Sequence, residues 1–126
     1  DFSQYANLAD LTLDKFARGD SPPWHPKDRR FDDRAMVTAA VGRYQPNAWG
    51  LCDVHGNVAE WTRTSYRPYP CDAGDGRDDP ATPGDKVARG GSWYDRPQRA
   101  RSAFRLHYRA WQPVYNVGFR VIAEVE

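Results

Sequence analysis

At 126 residues the chain is one domain or part of one, long enough to bury roughly two-thirds of the surface its unfolded form exposes. Its 18 basic and 17 acidic residues are interspersed and leave a net charge of +1, so it lacks the basic stripe of a nucleic-acid surface. No apolar run nears the ~20 residues of a membrane helix, so the expected partners include neither nucleic acid nor a membrane.

Residues 1–20 carry a weak helical pattern through Leu8, Leu11 and Phe16, ended by Gly19 and the Pro22-Pro23 pair. Residues 21–33 are charged and Pro-bearing and read as a loop, and 38–44 read as a short strand stopped by Pro46. Alternation over 57–64 predicts another strand, followed by a surface loop at 67–85 with four prolines, three glycines and five aspartates. Segments 86–89, 99–105 and 118–125 predict three more strands, the last having the strongest pattern. Only five Leu and one Ile stand beside nine Val, five Trp, seven Tyr and five Phe, which points to a core built on aromatic rings with polar partners. Fifteen of the basic residues are Arg, whose planar forks can satisfy carbonyls that no helix or sheet satisfies. These features predict an irregular, loop-rich α+β fold with little regular secondary structure and short antiparallel strands.

Several groups could carry chemistry. Asp53, Gly56, Val58 and Glu60 combine two carboxylates with two main-chain carbonyls in a turn entering a strand, a donor set suited to a hard cation such as calcium. On spacing alone an ordinary acidic turn is the simpler reading, and the Asp32-Asp33 pair reads as solvated charge. His25, His55 and His107 have no zinc-ligand spacing. Cys52, between apolar neighbours, reads as a buried inert thiol and Cys71 as exposed, with pairing between them left open. Ser92 lacks the setting of a hydrolase nucleophile. The band Trp93–Trp111 alternates aromatic and Arg residues and could line a groove or build a polar-aromatic core.

The ordered motifs Asn47-Ala-Trp-Gly-Leu51, Asp53-Val-His-Gly-Asn-Val-Ala-Glu-Trp61, Arg89-Gly-Gly-Ser-Trp93, Arg101-Ser-Ala-Phe-Arg105 and Asn116-Val-Gly-Phe-Arg120, with Tyr5-Ala-Asn-Leu8, span essentially the whole chain. Together they resemble the formylglycine-generating enzyme, or sulfatase-modifying factor, family. The resemblance implies a variant of the C-type lectin fold, with residues 1–126 as the C-terminal part of a domain about twice this long. The N-terminal half of that domain, or another protein chain, is then the expected partner. It also implies two calcium sites. One would use the side chains of Asn7 and Asp33 with the carbonyls of Leu8 and Ala35. The other would use Asp53, the carbonyls of Gly56 and Val58, and Glu60.

The family's activity depends on two cysteines shortly after the G-G-S motif, which bind copper and activate oxygen. Here Asp95 falls near the first of those positions and the second has no counterpart, so the soft-metal site lacks its thiolates. Ser92 and Asn116 match pocket positions, and Ser92, Trp93, Asp95, Arg105 and Asn116 are the expected pocket residues, with no catalytic residue assigned. Three functions follow as expectations. The first is a binding or structural module stabilised by calcium within a larger protein or assembly. The second is part of an oxygen-dependent oxidoreductase, of the formylglycine-generating or non-heme iron sulfoxide-synthase type, with its catalytic groups in another half or partner domain. The third is a diversified ligand-binding protein of C-type-lectin-like fold. Copper is not expected, and the sequence leaves iron and the ligand open.

Overall fold

The computed structural model describes residues 2–17, 25 and 27–123. Regular structure is sparse. A helix, α1 (Leu11–Phe16), precedes four strands, β1 (Ala59–Ser65), β2 (Asp85–Arg89), β3 (Leu106–Arg109) and β4 (Val117–Gly118), with 3-10 turns at Phe2–Gln4 and Pro97–Arg99. The helix is shorter than the pattern over 1–20 suggests, and Leu8 lies before it. Asp10 sets the start, because its Oδ1 accepts from the backbone N–H of Thr12 (2.9 Å) and Leu13 (3.2 Å). Such an N-cap is worth about 1 kcal/mol. Residues 18–20, which would hold its predicted end, lie outside the described residues.

The strands form one mixed sheet in the order β3-β2-β1-β4. β1 and β2 are antiparallel, with Glu60 opposite Arg89 and Trp61 opposite Ala88, and a bulge shifts the register before Ser65 pairs with Lys86. β2 and β3 are antiparallel from Asp85–Arg109 to Ala88–Leu106. β4 instead runs parallel to β1, pairing Ala59 with Val117 and Glu60 with Gly118, a departure from the all-antiparallel expectation.

Three expected strands change. Residues 38–44 form turns and extended coil, because the Asn57 side chain takes the place of a partner strand. Its Oδ1 accepts from Ala39 N–H (2.8 Å) and its Nδ2 donates to Ala39 C=O (3.2 Å). The strand expected at 99–105 begins only at Leu106, since Pro97 nucleates a 3-10 turn and the chain turns again before Phe104. Of the strand expected over 118–125, pairing is seen through Val117–Gly118, 119–123 continue unpaired, and 124–125 lie outside the described residues. The loop expected at 67–85 does lack regular structure up to Gly84. It is tied down by Arg77, whose guanidinium donates to Asp75 (Nε to Oδ2, 2.8 Å), to the Pro70 carbonyl (3.4 Å) and to Cys71 Sγ (3.2 Å).

The core also differs from the aromatic one expected. The buried apolar residues are mostly small, including Ala6, Ala9, Ala35, Ala59, Ala88 and Ala100, with Leu8, Val87, Phe31 and Tyr44. Trp49 and Trp111 are 84% and 75% exposed. The buried polar residues are comparably numerous among those described, among them Asn7, Asp10, Asp33, Asn57, Ser92, Asp95 and Asn116. Loops cross-linked by short hydrogen bonds bring backbones so close that rings do not fit between them. Gly56 shows this: at φ 78° a methyl there would drive into the Asn7 carbonyl. The Arg expectation holds, because Arg43, Arg77, Arg89, Arg101, Arg105 and Arg120 each donate to a backbone carbonyl.

Candidate functional site

The turn after β2 brings Ser92 and Asp95 together. Gly90 (φ 91°) and Gly91 (φ 69°) take left-handed conformations, and a methyl on Gly91 would meet Ala100 Cα at 3.0 Å. Glycine alone permits that approach, which folds 92–100 back on the strand. Trp93 N–H then donates to Asn57 C=O (3.0 Å) and Asp95 N–H to Ser92 C=O (2.8 Å). From the start of β4, Asn116 is held because its carbonyl accepts from Ala59 N–H (3.0 Å).

The three side chains form a buried relay. Ser92 Oγ donates to Asp95 Oδ2 at 2.7 Å, and Asn116 Nδ2 donates to Ser92 Oγ at 2.8 Å. Arg99 Nη1 lies 3.4 Å from Asp95 Oδ1. Asp95 is therefore a hard oxygen donor, bonded to a hydroxyl and only loosely paired with a guanidinium, where the resemblance would put a soft thiolate. Above it opens a cavity of about 330 Å³ walled by Tyr94, Tyr108 and Tyr115. Tyr94 and Tyr115 meet edge to face at 5.8 Å, and Trp93 stands edge-on to both. Burial pushes the phenols of Tyr108 and Tyr115 up. His25 stacks on Tyr94 at 3.8 Å and donates through Nε2 to the Tyr94 carbonyl (2.6 Å); burial pushes its pKa down, against the raising effect of that bond.

Of the expected pocket residues, Ser92, Asp95 and Asn116 converge, and Trp93 buttresses the wall. Arg105 does not join them: its guanidinium stacks over Tyr69 (3.7 Å) and Tyr66 (5.0 Å) and donates to the Arg67 carbonyl. Arg99, from the aromatic and Arg band over 93–111, and Tyr115, outside that band but next to Asn116, also enter the site. Cys52 and Cys71 are both free thiols, and neither lines this cavity.

The oxygens assigned to calcium fall into two settings. In the first, Asp33 accepts from Leu8 N–H through Oδ2 (2.9 Å) and from Ala35 N–H through Oδ1 (2.8 Å). Burial, with a smaller push from Asp10, raises the Asp33 carboxyl to about 6 despite those bonds. Asn7 Nδ2 donates to the Val37 carbonyl (2.7 Å), while Asn7 Oδ1 is buried without a hydrogen-bond partner among the described residues. A buried carboxylate and an orphaned buried amide oxygen are donors of the kind that suit a hard cation. In the second setting Asp53, at φ 55°, accepts from Gly42 N–H (2.7 Å) through Oδ2 and leaves Oδ1 buried without a partner among the described residues. Glu60, however, is engaged by Arg120, whose Nε reaches Oε2 at 2.6 Å and whose Nη2 reaches Oε1. The second set does not fit a cation as arranged. Nowhere among the described residues do three His, Cys, Asp or Glu side chains converge as a metal site, so a cation here has to draw on amide and main-chain oxygens. Among the described residues no helix is long and apolar enough to cross a membrane.

A sparse mixed sheet, polar-stapled loops and a pocket behind the G-G-S turn define a sulfatase-modifying-factor-like domain. Residues 4–125 match the family described as the Sulfatase-modifying factor enzyme 1-like domain, and the chain belongs to that family. It is similar to a Mus musculus protein named inactive C-alpha-formylglycine-generating enzyme 2, with 32% identity over 101 residues, covering 75% of this chain and 29% of that protein. Its fold is similar to that of Treponema denticola variable protein 1, with a TM-score of 0.63 and 24% identity over 94% of this chain and 35% of that one. The chain thus spans about a third of the length of each relative.

Proposed function

We propose that this chain is a calcium-stabilised binding module of a larger protein or assembly, in which a carboxylate-lined pocket replaces the family's copper-dependent oxidation. The observation that carries this reading is Asp95. It occupies the turn after Gly90-Gly91, is almost wholly buried, and is bonded to Ser92 at 2.7 Å. A carboxylate there cannot supply the electron-rich sulfur that holds copper and drives oxygen chemistry. The mouse relative is named as an inactive formylglycine-generating enzyme, which agrees with such a loss.

Calcium at Asn7 and Asp33, with the carbonyls of Leu8 and Ala35, would compensate buried negative charge and brace loops that have little apolar core. A place within a larger body is supported by apolar side chains left on the surface. Phe119, Val121 and Ile122 are 77–86% exposed along the stretch beyond β4, and large apolar side chains left bare so close together suit an interaction surface.

Metal analysis and an oxidation assay test the reading together. The purified full-length protein is expected to retain calcium but no copper, and to leave a cysteine-containing peptide unoxidised. Calcium added back to chelator-stripped protein should raise the melting temperature, reflecting about 2.7 kcal/mol of stabilisation at a hundredfold excess over Kd, and Asp33→Asn should remove that gain. Stoichiometric copper or iron, or thiol oxidation, would overturn it in favour of the oxidoreductase reading.

A further inference from the structure

The cavity behind the G-G-S turn holds two opposite charges that are incompletely spent. Among the described residues Asp95 Oδ1 has one partner, Arg99 Nη1, at 3.4 Å. A well-formed charge-assisted bond would be about 2.7–2.9 Å. Arg99 is 45% exposed at its side chain, and its remaining guanidinium N–H groups make no hydrogen bond among the described residues. Both groups line the same cavity of about 330 Å³, where they are the only charged residues among those described. That volume lies at the small end of the range for small-ligand pockets, about 300–1,000 Å³. The walls are the rings of Tyr94, Tyr108 and Tyr115, together with Leu106.

A pocket with one acid, one base and no net charge disfavours a simple anion or cation, because either would face a like charge at short range. A ligand carrying both charges on neighbouring carbons satisfies both groups at once. Resting on the reading of this pocket as a non-redox binding site, we propose that it binds a free α-amino acid. The ammonium is held at Asp95 Oδ1 and the carboxylate by the Arg99 fork, with an apolar or aromatic side chain against the tyrosines. Ser92 fixes the Asp95 carboxylate through Oδ2, and Asn116 in turn holds the Ser92 hydroxyl.

Calorimetric titration of the full-length protein with L-phenylalanine, N-acetyl-L-phenylalanine and L-phenylalaninamide tests this. Phenylalanine is expected to bind, and loss of either charge to weaken binding at least tenfold. Arg99→Gln, at a half-exposed position where folding should be kept, is expected to make the acid and the amide bind alike. Amide chemical shifts of Tyr115 and Asn116 should move with phenylalanine. If the acetylated and amide forms bind as tightly as the free amino acid, the zwitterion assignment is wrong. If those shifts respond only to an uncharged ligand such as glucose, the assignment also fails but the binding-pocket reading stands. Oxidation of a thiol peptide by the same preparation would remove both.

Discussion

Asn7 and Asn57 hold each other across fifty residues. The Asn57 N–H donates to the Asn7 carbonyl at 2.8 Å, and Asn7 Nδ2 returns a bond to Asn57 Oδ1 at 3.2 Å. Each amide also grips the 37–39 segment, Asn7 through the Val37 carbonyl and Asn57 through both backbone groups of Ala39. The Asn of Tyr5-Ala-Asn-Leu8 and the Asn of the G-N-V motif thus form one staple joining three distant loops.

Asn57 sits at φ 62°, so two substitutions separate its backbone from its side chain. Asn57→Gly keeps the left-handed conformation and strands buried partners, costing about 1–3 kcal/mol. Asn57→Ala loses the same bonds and adds about 1–2 kcal/mol of left-handed strain. Urea unfolding should rank wild type above Gly above Ala. Equal losses for the two variants would show that the backbone conformation is not what selects Asn.

Gly56 is expected to be still less tolerant. Gly56→Ala should cost more than about 2 kcal/mol, since a positive φ and a collision with the Asn7 carbonyl act together. By contrast Gly42, also at positive φ, has open space around it, and Gly42→Ala should show only the conformational penalty. Thermal melts of the pair check this, and similar losses would mean that close packing at Gly56 has been misjudged.

Arg120 clamps the C-terminal motif to the acidic turn. Besides Glu60 it donates twice to the Cys52 carbonyl, both at 3.1 Å. Arg120→Gln should destabilise by about 1.5–3 kcal/mol through lost charge-assisted bonds. The same change frees the Glu60 carboxylate. If Asp53 and Glu60 hold calcium once released, the variant should gain a second calcium equivalent by calorimetry. An unchanged stoichiometry would leave Glu60 as an ion-pair partner only.

Tyr44 gives a pH dependence with a definite sign. Burial, reinforced by the Asp33 charge, pushes its phenol from 10.0 to about 12. The folded state therefore favours the protonated phenol more than the unfolded chain does. That contribution is fully present below pH 10 and is lost as pH rises through about 12. Tyrosinate absorbance should show one phenol lagging the others in alkaline titration and appearing as the protein unfolds. Tyr44→Phe should remove the lagging fraction, and an unaltered titration curve would count against the assignment.

Much of the molecule is written locally. The ordered motifs, the Gly-Gly turn, the Arg excess and the scarcity of Leu and Ile are enough to indicate the family, the loop-rich fold and the loss of the thiols, because each reflects a short-range demand of backbone conformation or side-chain chemistry. Local pattern could not say that Asn57 would displace a strand partner for residues 38–44, or that Pro97 would delay β3. Nor could it say that the core would be filled by alanines while Trp49 and Trp111 stay outside, or that β4 would run parallel to β1. It placed Arg105 in a pocket that Arg99 fills instead, and left Glu60 free where Arg120 binds it. Those outcomes depend on which distant groups compete for the same hydrogen bond or the same volume, and only the closed tertiary structure brings the competitors together.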